Sequence, residues 1–209
     1  MKTIKHFIWD FDGTLVDTYP NLVRYMAMAL SDLGIKADPV EILEKMMENI
    51  PYALDYYTKK YDLTDLSERY SYHYSAGKAD DIQTFHYVTD VLQQIQELGG
   101  HNYIFTNRGV TLDALLDRID LRHYFTEIIK AGDPEFEYKP SPRPILYLME
   151  KYGATPENTA MVGDRKCDLE SGYQAGCKTI HLLTPSVPQY PPCDWRIANF
   201  REMLDALKS

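Results

Sequence analysis

Asp10-Phe11-Asp12-Gly13-Thr14 sets two carboxylates two residues apart on a turn opened by Gly13. Carboxylates that close repel each other unless a cation or a proton intervenes. A second acidic pair stands in Gly163-Asp164-Arg165-Lys166-Cys167-Asp168. Taken singly, the first pair also fits an acidic or helix-capping turn. Asp168 likewise fits a helix start, because helix N-termini attract carboxylates. Brought to one sheet edge, three or four carboxylates instead suit a hard divalent cation. With no His or Cys ligand set, oxygen ligation favours Mg2+ over Zn2+. Thr106 and Asn107 add a hydroxyl and an amide, and Lys139 adds a cation in Lys139-Pro140-Ser141-Pro142. Alone, Thr106 and Asn107 read as a helix cap and Lys139 as a solvated loop cation. Together the four segments supply a nucleophilic carboxylate, a second carboxylic acid, hydrogen-bond donors with a cation, and metal-binding acids. That set can move a phosphoryl group.

These residues need a scaffold, and short apolar runs supply it at His6–Asp10, Asn102–Asn107, Glu127–Ala131, Thr159–Asp164 and Thr179–Thr184. Each has strand length and ends in polar residues. Helical stripes separate the later ones: Val88, Val91, Leu92, Ile95 and Leu98, stopped by Gly99-Gly100; then Leu112, Leu115, Leu116 and Ile119; then Ile145, Leu148, Met149 and Tyr152. The alternation predicts a parallel sheet covered on both faces. In such open sheets ligands gather at the carboxyl ends of the strands, where the acidic turns fall.

About 90 residues separate the first two strands, too many for one crossover. Pro20 to Leu33 reads as a helix ended by Gly34, and Asp38-Pro39-Val40-Glu41 as a capped helix start. Leu54, Tyr57 and Tyr61 share a face, as do Leu66, Tyr70 and Tyr74. The expected organisation is an α/β core of residues 1–16 and 83–209, carrying an inserted all-helical domain over residues 17–82. Ten of the 17 tyrosines lie between Tyr19 and Tyr87. Either they fill a small helical core with their hydroxyls reaching water, or some of them face a substrate.

The 209 residues carry 22 basic and 31 acidic side chains, a net charge of −9. That balance argues against a nucleic-acid partner, since phosphate backbones require a surplus of Lys and Arg. No apolar run approaches the roughly 18 residues that cross a bilayer, so no membrane association is expected. The residues before Asp10 are too few for a signal-peptide core. Cys167, Cys177 and Cys193 are odd in number and lack metal-ligand spacing, which suits a reduced, cytoplasmic chain.

The ordered segments Asp10-Phe11-Asp12-Gly13-Thr14-Leu15-Val16-Asp17-Thr18, Phe105-Thr106-Asn107, Lys139-Pro140-Ser141-Pro142 and Gly163-Asp164…Asp168 resemble those of the haloacid dehalogenase (HAD) superfamily. The subgroup is the one with a helical cap inserted after the first motif, and its phosphoglycolate phosphatase-like members come nearest. The resemblance implies a Rossmann-like core with an inserted cap domain, and a Mg2+-dependent phosphatase acting on a small phosphorylated metabolite. It implies that Asp10 attacks phosphorus to form an aspartyl-phosphate, while Asp12 protonates the leaving alcohol and then deprotonates the hydrolytic water. Thr106, Asn107 and Lys139 would hold the phosphoryl oxygens. Asp10, the backbone carbonyl of Asp12, and Asp164 would bind Mg2+, with Asp168 orienting them.

The superfamily's dehalogenases lack the second aspartate of the first motif, so Asp12 points to phosphoryl chemistry. A sugar phosphomutase of the same superfamily shares all four motifs and is the nearest alternative. A receiver-type signalling module carries its lysine after, not before, the corresponding acidic strand end. A non-catalytic phosphate-binding relative is disfavoured because no motif residue is missing. In the cap, Arg24, Lys45, Tyr52, Tyr56 and Lys59 are the polar candidates for meeting the leaving group.

Overall fold

The computed structural model describes residues 1–77, 82–183 and 192–208. The chain divides into two compact units, Met1–Asp17 with Gln83–Ser209, and Thr18–Ile82.

Among the described residues, the first unit is built on a six-stranded, all-parallel sheet of order β3-β2-β1-β4-β5-β6. Its first strand, β1 (His6–Trp9), is buried throughout, as a central parallel strand should be. The second unit, which interrupts the chain after β1, contains α1 (Tyr19–Ser31), α2 (Pro39–Glu48), α3 (Ile50–Tyr61) and α4 (Leu66–Gly77). The sheet unit resumes with α5 (Val88–Glu97), β2 (His101–Thr106), α6 (Leu112–Arg118), β3 (Phe125–Lys130), α7 (Arg143–Tyr152), β4 (Thr159–Gly163), α8 (Lys166–Gln174), β5 (Lys178–Leu182), β6 (Trp195–Ile197) and α9 (Phe200–Lys208).

Alternating side chains send the two faces of β1 into different helix layers. Ile8 joins Tyr103, Phe105, Met161 and the α7 residues Ile145, Leu148 and Met149 on one face. On the other, Trp9 packs on Phe200 of α9 with ring centroids 6.0 Å apart, and its indole N–H donates to Asn102 at 3.0 Å. Asn102 in turn donates to the Leu92 carbonyl of α5 at 3.1 Å, so a buried polar side chain ties strand to helix with its groups satisfied.

The expected runs and the strands agree to within a few residues, because the last polar residue of several runs turns out of the ladder. The last predicted run reaches Thr184, which lies outside the described residues. The three-residue β6 was not foreseen. Leu98 is 45% exposed rather than part of the α5 stripe, because it lies beyond the helix, with ψ at 8°.

In the helical unit Asp38 caps α2 as expected, accepting from the Val40 N–H at 2.9 Å, with Pro39 in the first turn. Glu41 is not drawn back to the cap; its carboxylate accepts from Tyr56 at 2.7 Å and Lys60 at 2.6 Å. The buried stripe of α3 runs through Ala53 and Tyr57, leaving Tyr61 38% exposed. Several tyrosines do form the core, but Tyr25 and Tyr57 bury their hydroxyls without a hydrogen-bond partner instead of reaching water. No helix among the described residues is long and apolar enough to cross a membrane.

Candidate active site

In the strand order, β1 lies between β2 and β4, so successive connections leave it in opposite directions. The crevice outside the carboxyl end of such a switch-point strand is where open α/β sheets bind ligands. Asp10 follows β1 directly and keeps one more ladder bond, its N–H donating to the Val162 carbonyl at 2.9 Å. The chain then turns sharply. The N–H groups of Leu15 and Val16 donate to the Phe11 carbonyl at 3.0 and 3.1 Å, and Gly13 takes a φ of 80° that a side chain would disfavour.

This geometry gathers Asp10, Asp164 and Asp168, all buried, with one ligand atom from each lying within 4.8 Å of the others. Lys139 Nζ donates to Asp10 Oδ1 at 2.5 Å and to Asp168 Oδ1 at 2.7 Å, with all three side chains wholly out of contact with solvent. Asp168 reaches this place because residue 163 is glycine: a Cβ there would stand 2.3 Å from the Asp168 Cβ. Its other oxygen accepts from the Arg165 N–H at 2.9 Å, so the helix-start role and the site role coexist in one residue. Asp164 is held by the Thr14 hydroxyl at 3.0 Å, and its carbonyl accepts from His181 Nε2 at 3.1 Å. Asn107 brackets the backbone of Lys139, accepting from its N–H at 2.8 Å and donating to its carbonyl at 3.4 Å. Thr106 is buried, and its Oγ accepts from the Arg108 N–H at 3.1 Å.

Asp12 does not join the three clustered carboxylates with its side chain. The Arg108 guanidinium holds it, with Nε 2.9 Å from Oδ2 and Nη2 2.5 Å from Oδ1. Arg108, Arg165, Thr14 and His181 were given no role from the sequence. Their nearest signal is position, at or beside polar strand ends already singled out.

The charges do not balance. Asp10, Asp164 and Asp168 face one ammonium and one guanidinium, Arg165, whose Nη2 lies 4.0 Å from Asp10 Oδ2. Burial first, and then Asp168, push the Asp10 carboxyl up to about 6 against the pull of Lys139 and Arg165. Burial alone would lower Lys139, but Asp10 and Asp168 outweigh it and hold the ammonium above its ordinary value. The raised Lys139 and the repulsion between Asp168 and Asp10 both reflect the excess of carboxylates, while burial adds the largest part of the Asp10 rise. Asp10 Oδ2 is buried and has no hydrogen-bond partner. An orphaned carboxylate oxygen in an oxygen-only donor set fits a divalent cation of the Mg2+ kind. Cys167 stands outside the clustered donor set, and burial and then Asp168 push its thiol up to about 12.

A doubly wound sheet with buried carboxylates and a lysine at its switch point is suited to hold an anion beside a divalent cation. The sequence profile of the haloacid dehalogenase-like hydrolases matches residues 7–182, and the chain belongs to that family. It is 31% identical over 193 residues to the phosphoglycolate phosphatase of Aliivibrio fischeri, covering 87% of this chain and 85% of the relative. Against the phosphoglycolate phosphatase of Escherichia coli it is 28% identical over 210 residues, covering 87% and 82%. The crystal structure of a HAD family hydrolase from Deinococcus radiodurans, with bound phosphate and sodium, superposes with a TM-score of 0.84. It covers 99% of this chain and 96% of that one at 18% identity, a likeness of fold.

Proposed function

We propose that the protein is a Mg2+-dependent phosphatase hydrolysing a small phosphomonoester of the phosphoglycolate kind through an aspartyl-phosphate on Asp10. The observation that carries this reading is Asp10 itself: fully buried at the switch point, one oxygen on Lys139, the other without a hydrogen bond. In the first step an Asp10 carboxylate oxygen bonds to phosphorus while the bond to the leaving oxygen breaks, and Asp12 gives the leaving oxygen its proton. In the second, water attacks phosphorus, Asp12 takes its proton, and Asp10 leaves as a free carboxylate with inorganic phosphate. Lys139 and the Thr106 hydroxyl bind phosphoryl oxygens, and Asn107 fixes Lys139 through its backbone. Asp10, Asp164 and the Asp12 carbonyl would hold Mg2+, with Asp168 orienting the set; when bound it supplies the charge that lets a carboxylate meet a phosphate dianion.

In this reading residues Thr18–Ile82 form the substrate-selecting domain and the remainder does the chemistry. The net charge of −9 supports a small-molecule partner over nucleic acid, and the three unpaired thiols support a reducing, cytoplasmic setting. The test is a panel of phosphomonoesters assayed with and without Mg2+. Phosphate release from small esters that stops on chelation supports the reading. No release from any ester, or conversion of glucose 1-phosphate to an isomer without release, contradicts it.

A further inference from the structure

We infer that Arg108 is a positioning residue for Asp12, fixing the plane and direction of the carboxylate that exchanges protons with the leaving group. The inference rests on the functional reading above for what Asp12 does, but its geometry stands apart from that reading. Arg108 Nε lies 3.1 and 2.9 Å from the two Asp12 oxygens and Nη2 lies 2.5 Å from Oδ1, a fork that a carboxylate can meet in only one plane. The third nitrogen is also committed, since Nη1 donates to the Thr111 hydroxyl at 2.9 Å. The guanidinium carbon stands 5.8 Å from the centre of the Phe11 ring, and the side chain is 7% exposed. The backbone is pinned as well: the Arg108 N–H donates to Thr106 at 3.1 Å and its carbonyl accepts from Ala131 at 3.1 Å.

Each of the three Arg108 nitrogens bonds the chain, two of them to one carboxylate, so the group is held in place by the protein itself. Its place explains the choice of residue. It follows Thr106 and Asn107 at the end of β2, the strand beside β1, so it is anchored to the same sheet edge as the turn that carries Asp12. A lysine there would offer a point charge without a plane.

The experiment compares Arg108→Met, Arg108→Lys and Thr111→Val on an alkyl phosphate and on para-nitrophenyl phosphate, together with crystal structures of the wild type and Arg108→Met. The alkyl leaving group needs a well-aimed proton, whereas the activated phenol needs it less. In Arg108→Met, kcat on the alkyl ester should fall by about 100-fold, the ordinary worth of a positioned acid. Its KM should stay within about twofold, because a group acting only on the transition state leaves substrate binding alone. The loss on the nitrophenyl ester should be about tenfold smaller. Arg108→Lys should recover part of the alkyl activity, Thr111→Val should lose less than Arg108→Met, and the Asp12 carboxylate should leave its position in the Arg108→Met crystal. A rise in KM at unchanged kcat would make Arg108 a substrate ligand and overturn the inference. So would equal losses on both esters, or an Asp12 carboxylate unmoved without its partner. If the wild type turns over neither ester, the functional reading fails, and the position of Asp12 in the two crystals alone decides for or against Arg108.

Discussion

In the sheet unit, Lys139, Asp10 and Asp168 meet with no solvent exposure at all, whereas in the helical unit Lys59 and Asp55 pair at 2.8 Å with side chains 75% and 56% exposed. The helical unit fills its interior with aromatic groups: Tyr56 and Tyr57 pack edge-on with centroids 5.1 Å apart, and Tyr57 gives up its hydroxyl's hydrogen bond to stay buried. Charge there stays outside, as in Glu41 gripped by Lys60 and Tyr56. Buried ion pairs repay their desolvation poorly, and well-packed apolar residues often serve stability better. A unit that buries Asp10 and Asp168 on one ammonium, with Asp164 beside them, is therefore not arranged for stability alone. The helical unit follows the ordinary rule for a small core.

The largest expected effect breaks the buried cluster. Lys139→Met leaves Asp10 and Asp168 facing each other and should destabilise the metal-free protein by about 3–5 kcal/mol. At about 2–4 °C per kcal/mol, the melting point should drop by about 6–20 °C. The matching change in the helical unit, Lys59→Met, should shift it by less than about 2 °C. Calorimetry on both variants checks the contrast, and equal shifts would remove it.

Next comes the missing positive charge. Mg2+ at about 100 times its dissociation constant should stabilise the wild type by roughly 2.7 kcal/mol, a rise of about 5–11 °C. Substituting Asp164→Asn should remove most of that rise, while the exposed pairs of the helical unit contribute nothing to it. Thermal denaturation with and without EDTA measures it directly, and a metal-independent melting point would argue against the donor set.

What the sequence revealed follows the same division. The strand ends were legible because a parallel strand buried on both faces is an unbroken apolar run, and the first polar residue marks where it leaves the sheet. Asp10, Asn107 and Asp164 were found that way. Arg108 was not, since its partner Asp12 is 96 positions away and no local spacing encodes the pair. Gly163 was visible only as the start of the second acidic segment, and nothing local to it signalled the approach of Asp168 that its missing side chain permits. The short β6 carries too few residues for a periodicity. In α3 the sequence marked apolar and aromatic positions, but the depth of burial on Ala53 and Tyr57 is set by packing against other helices.

A smaller effect sharpens the comparison within the sheet unit itself. Burial alone would raise Glu127, but hydrogen bonds from Lys151, Tyr152 and Tyr147 outweigh it and hold the carboxyl below its ordinary 4.5. A depressed carboxylate adds stability above its unfolded pKa and loses it as pH falls through the folded value. Glu127→Gln should therefore cost about 1 kcal/mol at pH 7, or about 2–4 °C. The difference from wild type should shrink as pH falls below 4.5. A gap that stayed constant into acid would show that the charge is not what the network stabilises.

The central claim is that Asp10 carries the phosphoryl group, and chemical trapping tests it most directly. The protein is mixed with Mg2+ and a turned-over phosphomonoester, quenched rapidly, and treated with borohydride, which reduces an acyl phosphate to an alcohol. Peptide mass spectrometry should then find homoserine at position 10, only in samples quenched during turnover, and not in the Asp10→Asn variant. Continued turnover with position 10 unmodified, or with the reduced residue elsewhere in the chain, would contradict the account.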